Sequence, residues 1–472
     1  MPAVPATPKP RRAWRILLPC LLAAALAGCS SARPWINQPL AADADPAAAA
    51  IGAAQAVDAS DLSMTIAVTL SGGGARAAAF GYGVLDALRQ TRVRWDGRDT
   101  SLLDEVDVIS GVSGGSIVAA YVAAHGEQAF PAFEREFLRQ DFQDSLISNM
   151  LKPASLFDLT SPWFGRTHLL ARRLDELYGG MTFADLAARP GRPRLLVSAT
   201  DLSLGASFEF SWEQFALICS DLGSVPLSFA VAASSAVPIV LSPVTLRNYS
   251  AQCPLRTASP GDEATPGDAD YRLRLLRSTQ RSYLDGDARP YIHLVDGGLA
   301  DNLGVRTLLD RALAGGGIRS VTREVPAGAI RRLVIIAVNA ERDPSERIDQ
   351  QDTVPSSLQV ADALLFGAGA RATNETLGLL ADTAQSWRRE LSRRQGARDG
   401  FAADAQVHVV TVNLRDAPEL LQPRLLLQVP TAFSIPHRDV DALIDAGRHI
   451  LRQSPQFRQL IQSLGGELAP PP

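Results

Sequence analysis

The chain has 472 residues, 46% hydrophobic and 20% charged, with 36 Gly and 31 Pro. That balance excludes wholesale disorder and collagen-like repetition, and the length allows two or three domains or one large α/β domain with extensions. A net charge of −4, from 46 basic and 50 acidic residues, gives no bulk attraction for nucleic acid, and four cysteines are too few for a disulfide scaffold.

All basic residues except Lys9 and Lys152 are Arg, a compositional bias, so no Arg takes a phosphate-binding role on residue type alone. Residues 9–15 hold Lys9, Arg11, Arg12 and Arg15 and no acid, and Ile16 to Ala27 form a short apolar run. A basic stretch, a short apolar run and small residues make a secretory signal, too short to span a bilayer comfortably. The run ends in Leu26-Ala27-Gly28-Cys29, which resembles the bacterial lipobox, in which the signal is removed before an acylated cysteine. The alternative is an ordinary signal peptide with an incidental cysteine. Cleavage after residue 28 removes four positive charges, taking the net charge from −4 to −8. Acyl chains on Cys29 would hold the protein at a membrane surface. Ser30 in place of Asp points to the outer membrane of a bacterial cell envelope, facing the periplasm. Residues 29–61 are Ala- and Pro-rich without periodicity and read as a flexible tether.

Three strand ends then carry candidate chemistry. Met64 to Leu70 is a β-rich apolar run, followed by Ser71-Gly72-Gly73-Gly74-Ala75-Arg76 and a helical stretch from Ala77 to Gln90. Consecutive glycines at a strand-to-helix turn let backbone N–H groups converge on an anion, a phosphate or the oxyanion of acyl transfer. Gly72, Gly74 and Ala77 also fit the dinucleotide spacing G-x-G-x-x-G/A, with Asp96 about 20 residues on as a ribose acid. A plain tight turn is the third reading. Val106 to Ser110 forms the second strand, leading into Gly111-Val112-Ser113-Gly114-Gly115 and a small-residue helix from Ser116 to Ala124. Strand, G-x-S-x-G and helix in that order make a nucleophile elbow, with Gly111 and Gly115 giving the room that a crowded turn needs. Tyr291 to Val295 is the third strand, and Asp296-Gly297-Gly298 puts a carboxylate at its end. Alone, an Asp-Gly pair is only a turn signal.

Together, Gly72-Gly73-Gly74-Ala75-Arg76, Gly111-Val112-Ser113-Gly114-Gly115 and Asp296-Gly297-Gly298 resemble the three signature blocks of patatin-like phospholipases. Ala233-Ser234-Ser235-Ala236-Val237-Pro238 resembles a fourth block, and Ala77 replaces a third glycine that many members carry. The resemblance covers about residues 62–310. It implies a three-layer α/β/α sandwich with a mostly parallel central sheet, and a Ser-Asp dyad with Ser113 as nucleophile and Asp296 as base. It further implies an oxyanion hole of the Gly72, Gly73 and Gly74 amides with Arg76 nearby, a salt bridge that fixes the loop being the other role open to the arginine. The implied activity is lipid acyl hydrolysis, of the phospholipase A or lysophospholipase type, with no cofactor and no metal.

Arg194 to Thr200, Leu333 to Val338 and Val407 to Val412 read as further core strands, 350–396 as helical, and 437–463 as a closing helical pair. Residues 311–472 are expected to pack on the same core as 62–310, an independent second domain being the alternative. Leu156 to Phe164 is rich in aromatics and fits an acyl pocket, a lipid contact or a loop buried in the core. Cys253 to Asp285 reads as a polar, solvated insertion. After loss of Cys20 and acylation of Cys29, Cys219 and Cys253 remain, either paired or as buried thiols. His408, His437 and His449 follow Ser113, so a Ser-His-Asp triad stays open, as do a silent lipid-binding lipoprotein and a dinucleotide-dependent oxidoreductase. The partners expected are membrane lipid as substrate and a membrane surface through Cys29.

Overall fold

Apolar runs without alternation demand strands covered on both faces, and this sequence supplies several. The computed structural model describes residues 30–41, 62–253, 271–314, 316–319, 325–342, 349, 352–356, 359–360, 363, 368–393 and 399–466. The signal segment, Cys29 and residues 42–61 of the expected tether lie outside the described residues. The strands are β1 (Met64–Leu70), β2 (Arg92–Trp95), β3 (Arg98–Ser101), β4 (Val106–Val112), β5 (Arg194–Asp201), β6 (Ala206–Phe210), β7 (Val244–Arg247), β8 (Tyr291–Val295), β9 (Ile330–Asn339) and β10 (Phe401–Asn413). Of these, β2 and β3 make a separate hairpin, and the others form one sheet in the order β10-β9-β1-β4-β5-β8-β7, with β6 also on β5. From β10 to β5 every pairing is parallel, whereas β8 and β6 run antiparallel to β5, and β7 runs antiparallel to β8. The sheet is therefore mostly parallel, as the sequence led us to expect.

Period-2 alternation along the strands separates two apolar layers. On β9, Val334, Ile336 and Val338 join one buried cluster while Ile335 and Ala337 join the other. The first cluster is covered by α1 (Gly74–Gln90), α2 (Gly114–His125), α5 (Arg166–Tyr178), α6 (Leu227–Ser234), α10 (His437–Gln453) and α11 (Pro455–Ser463), after the short helices α3 (Phe142–Met150) and α4 (Pro153–Asp158). The second is covered by α8 (Arg306–Ala314) and α9 (Ala368–Arg393), with α7 (Tyr271–Leu284) alongside α8. Strands β9 and β10 complete the sheet beside β1, and buried Asp86 of α1 pairs with Arg448 of α10 at 2.8 Å. Residues beyond 310 thus share both apolar layers with those before it.

Two expectations need correction. Residues 30–41 are no free tether: Asn37 is fully buried, its amide donating to Ser220 Oγ and the Arg247 carbonyl, each at 2.8 Å. Trp35 packs on Phe229, and Leu40 N–H reaches the Cys219 carbonyl at 3.0 Å. The expected solvated insertion is in part helix α7, with Tyr283 buried, and its residues 254–270 lie outside the described residues.

Cys219 and Cys253 form a disulfide across a sequence separation of 34. Closing a loop of that length in the unfolded chain contributes about 4 kcal/mol in the chain-entropy model. Reduction, or Cys253→Ser, is accordingly expected to lower the thermal midpoint by several degrees, measured by calorimetry with and without reductant. The docked segment 30–41 loosens with it, because Cys219 and Ser220 hold its backbone.

Candidate active site

β4 leads straight into the nucleophile elbow. Ser113 sits at φ 48°, ψ −122°, between the last residue of β4 and the first of α2. A non-glycine residue with positive φ is uncommon and marks an over-determined turn. Here the surroundings impose it. A Cβ on Gly111 would lie 2.4 Å from Ser116 Cα, and one on Gly115 would lie 2.4 Å from the Leu70 carbonyl oxygen. Ser113 N–H donates to Ser234 Oγ at 2.8 Å, and Ser234 Oγ donates to the Ser198 carbonyl at 2.6 Å. Ser234 lies at the end of α6, in the fourth resemblance block, so that block positions Ser113.

Asp296 meets Ser113 from the end of β8. Ser113 Oγ donates to Asp296 Oδ2 at 2.8 Å, and Gly298 N–H donates to Asp296 Oδ1 at 2.8 Å. Its backbone is held by N–H donation to the Ala236 carbonyl at 3.0 Å and by the Thr200 hydroxyl, which donates to the Asp296 carbonyl at 2.8 Å. Burial pushes the Asp296 carboxyl up to about 6, against the pull of the Gly298 amide and the Ser113 hydroxyl. At neutral pH it remains a carboxylate able to take the Ser113 proton, and its basicity is greater than that of an ordinary aspartate.

The glycine loop lies directly against the elbow and departs from expectation at one position. The Gly72 N–H is taken by Asn302, with Oδ1 at 3.1 Å and the carbonyl at 3.2 Å. Among the described residues no acceptor is placed on the Gly73 or Gly74 amides, which stand at the N-terminus of α1, where a helix leaves N–H groups unpaired. Gly74 has φ 61°, and a Cβ there would meet the Ala432 carbonyl oxygen at 2.3 Å. Ala77 lies inside α1, so the missing third glycine leaves the turn intact. The Arg76 side chain is buried, donating Nε to the Ala340 carbonyl at 2.9 Å and Nη1 to that of Val429. Burial, then Arg342, lower its pKa to about 9, which leaves it charged at pH 7. Its contacts bind the loop to segments beyond residue 310.

These groups open into a cleft of about 560 Å³, counted with its solvent-filled mouth. Gly72, Gly73, Ser113 and Asp296 form its floor, Val237, Pro238 and Leu299 an apolar wall, and Glu341, Arg342 and Thr431 a polar one. Ser234, Thr200, Asn302 and the polar wall were not singled out from sequence. Only Ser234 carried a signal, through its block; a lone Thr or Asn carries none.

Among the described residues no histidine lines the cleft. His408 of β10 is paired in register, through Val334 and Ile66, with Val106 at the start of β4. That puts it three strands away, about 14 Å across the sheet, and about 23 Å back along the strand from Ser113. Burial, Arg332 and Arg388 push its pKa down to about 4. His437 and His449 lie on α10. His293 is exposed on β8 and pairs with Thr245 Oγ1 at 3.0 Å. Asp96 lies in the β2–β3 turn, 2.6 Å from the hydroxyl of Ser63 just before β1. The glycine loop is at the other end of that seven-residue strand, about 23 Å away. Asp96 therefore cannot bind a ribose held on the loop, and the dinucleotide reading fails. Among the described residues no group of three or more His, Cys, Asp and Glu could hold a metal ion.

A strand–glycine–serine–helix turn at the end of β4 and a carboxylate at the end of β8, with β5 between them in the sheet, thus meet beside a glycine turn. The family profile of patatin-like phospholipases matches residues 68–309, and the chain belongs to that family. No curated protein sequence matches it. Among solved structures it is similar to human GIVD cytosolic phospholipase A2, at 15% identity and TM-score 0.43, covering 89% of this chain and 65% of that one. It is also similar to VipD from Legionella pneumophila, at 12% identity and TM-score 0.32, covering 85% and 67%. ExoU of Pseudomonas aeruginosa, in complex with SpcU, matches at 19% identity and TM-score 0.23 over 37% of this chain and 38% of that one. The chain thus spans about two thirds of the human enzyme's length.

Proposed function

We propose that this protein hydrolyses acyl esters of membrane lipids through an acyl-enzyme on Ser113. The 2.8 Å hydrogen bond from Ser113 Oγ to the buried Asp296 carboxylate carries the reading. Asp296 Oδ2 takes the hydroxyl proton as Ser113 Oγ attacks the ester carbonyl. The Gly73 and Gly74 amides, aided by the N-terminal dipole of α1, stabilise the oxyanion, each donor typically contributing about 3–4 kcal/mol. The carbonyl re-forms, the C–O bond to the leaving alcohol breaks, and Asp296 returns the proton to that alcohol. Water then gives a proton to Asp296 and attacks the acyl carbon; the second intermediate releases the fatty acid, and the proton returns to Ser113. Gly72 and Arg76 act here by holding the loop, through Asn302 and through the Ala340 and Val429 carbonyls.

Labelling by a fluorophosphonate probe tests the reading, because it needs an activated serine. Labelling of the native protein, lost in Ser113→Ala, is the expected result; an unlabelled native protein returns the chain to the silent lipid-binding alternative. Since the base must be ionised, kcat/KM on a short-chain ester is expected to rise with pH through about 6 and to level above it. A profile flat from pH 5 to 8 would contradict this.

Cys29 and its preceding apolar run support placing the mature protein on a bacterial outer membrane, facing the periplasm. Among the described residues no helix is long and apolar enough to cross a membrane, so the anchor would be the acyl chains. Mass spectrometry is expected to find the mature chain starting at an acylated Cys29; a free thiol there overturns the anchor.

A further inference from the structure

We propose that the surface formed by α3, α4, the turn at Trp163 and the turn at Ile239 is a bilayer-docking face, which presses the mouth of the cleft onto the membrane. This rests on the lipid-hydrolase reading and names the surface through which that site meets its substrate. Single exposed apolar side chains need no explanation, but a continuous set beside a cleft does. Leu151 is 66% exposed, Phe157 54% and Ile239 66%, with Leu156, Trp163 and Val240 also exposed.

The set is linked along the chain and by hydrogen bonds. Thr160 Oγ1 donates to the Phe157 carbonyl at 2.7 Å, Trp163 follows three residues on, and Arg166 of α5 donates to the Ile239 carbonyl at 2.8 Å. Ile239 and Val240 directly follow Val237 and Pro238 of the cleft wall. Ile239 also holds φ 74°, a conformation that a β-branched residue adopts only under constraint. Strain is thus spent on presenting an isoleucine to solvent at the rim of the site.

The described chain begins on this same face. Ser30 N–H donates to Thr160 Oγ1 at 2.9 Å, Ser161 Oγ donates to the Ala32 carbonyl at 2.7 Å, and the Arg33 guanidinium stacks 3.3 Å from the centre of the Trp163 ring. Cys29, the proposed anchor, directly precedes Ser30 in the sequence. Acyl chains on Cys29 would enter the bilayer beside Phe157 and Trp163. The occupant we commit to is therefore a phospholipid surface, held at once by the anchor and by these side chains.

The test uses the full-length acylated protein and phosphatidylcholine vesicles. Leu151→Glu with Phe157→Glu, and separately Ile239→Asn, whose backbone tolerates positive φ, change exposed groups that touch no catalytic residue. Hydrolysis of vesicle lipid is expected to fall about tenfold or more, while hydrolysis of a water-soluble short-chain ester stays unchanged. Brominated acyl chains should quench tryptophan fluorescence in the native protein and quench less in Trp163→Phe. The proposal is overturned if vesicle and soluble rates move together or neither moves, or if Trp163 contributes nothing to the quenching. If the native protein cleaves neither substrate, the hydrolase reading fails, and the quenching alone decides the docking.

Discussion

Ser113→Ala and Asp296→Asn are each expected to abolish ester hydrolysis while the protein stays folded. Residues that act as one catalytic unit lose about 10⁴-fold or more when either is removed, and here one hydrogen bond joins the two. Stability separates the variants. The folded Asp296 pKa of about 6 lies above its ordinary 3.8, so the folded state holds this proton more tightly than the unfolded one. Below about pH 4 both states are protonated and the buried charge costs nothing; the cost grows between pH 4 and 6 and is complete above. Two pKa units correspond to about 3 kcal/mol, and the Asn side chain forgoes one of the two accepted hydrogen bonds, worth about 1 kcal/mol. Asp296→Asn is therefore expected to be more stable than the native protein by about 2 kcal/mol at pH 8 and less stable by about 1 kcal/mol below pH 4, where only the lost hydrogen bond counts, as read from urea melts in both pH ranges. Substituting His408, His437 or His449 by Ala should leave most activity in place. A histidine variant as inactive as Ser113→Ala, yet folded, would restore the triad.

Gly74→Ala is expected to cost about 10²–10³ in kcat, the loss typical of one oxyanion donor. Its added Cβ would meet the Ala432 carbonyl oxygen at 2.3 Å, so the loop must shift and carry the Gly73 and Gly74 amides with it. Gly205→Ala provides the control. Gly205 has the same φ of 61°, but nothing lies within 4 Å of its added Cβ. Both variants carry the left-handed backbone penalty of about 1–2 kcal/mol, and only Gly74→Ala displaces the amides. Equal kcat values on a short-chain ester for the two variants would remove the glycine loop from the mechanism.

The same contact explains why the profile-matched segment does not build the site alone. Ala432 accepts the Ala75 N–H at 2.7 Å, Val429 and Ala340 accept the Arg76 guanidinium, and Glu341, Arg342 and Thr431 wall the cleft. All lie beyond residue 310. Their backbone carbonyls hold the loop whatever side chains they bear, so no residue type there announces the role.

What the sequence determined by itself was local and periodic. Met64–Leu70 and Tyr291–Val295 were bounded correctly as strands, the first as an apolar run of a buried parallel strand and the second as a short β-rich run with Tyr291 and His293 turned to solvent, and glycines close behind end each of them sharply. The elbow was legible because crowding leaves only glycine beside a strained serine, and the glycine turn because only glycine reaches its φ values. Tertiary structure decided the rest. β6 and β7 are short antiparallel strands whose hydrogen bonds come from β5 and β8, distant in the chain. The Gly72 amide went to Asn302, 230 residues away, and the supposed tether at Asn37 was buried by Ser220 and Arg247. A backbone N–H can be satisfied by any acceptor that the fold brings within 3 Å, and sequence spacing carries no record of which one arrives.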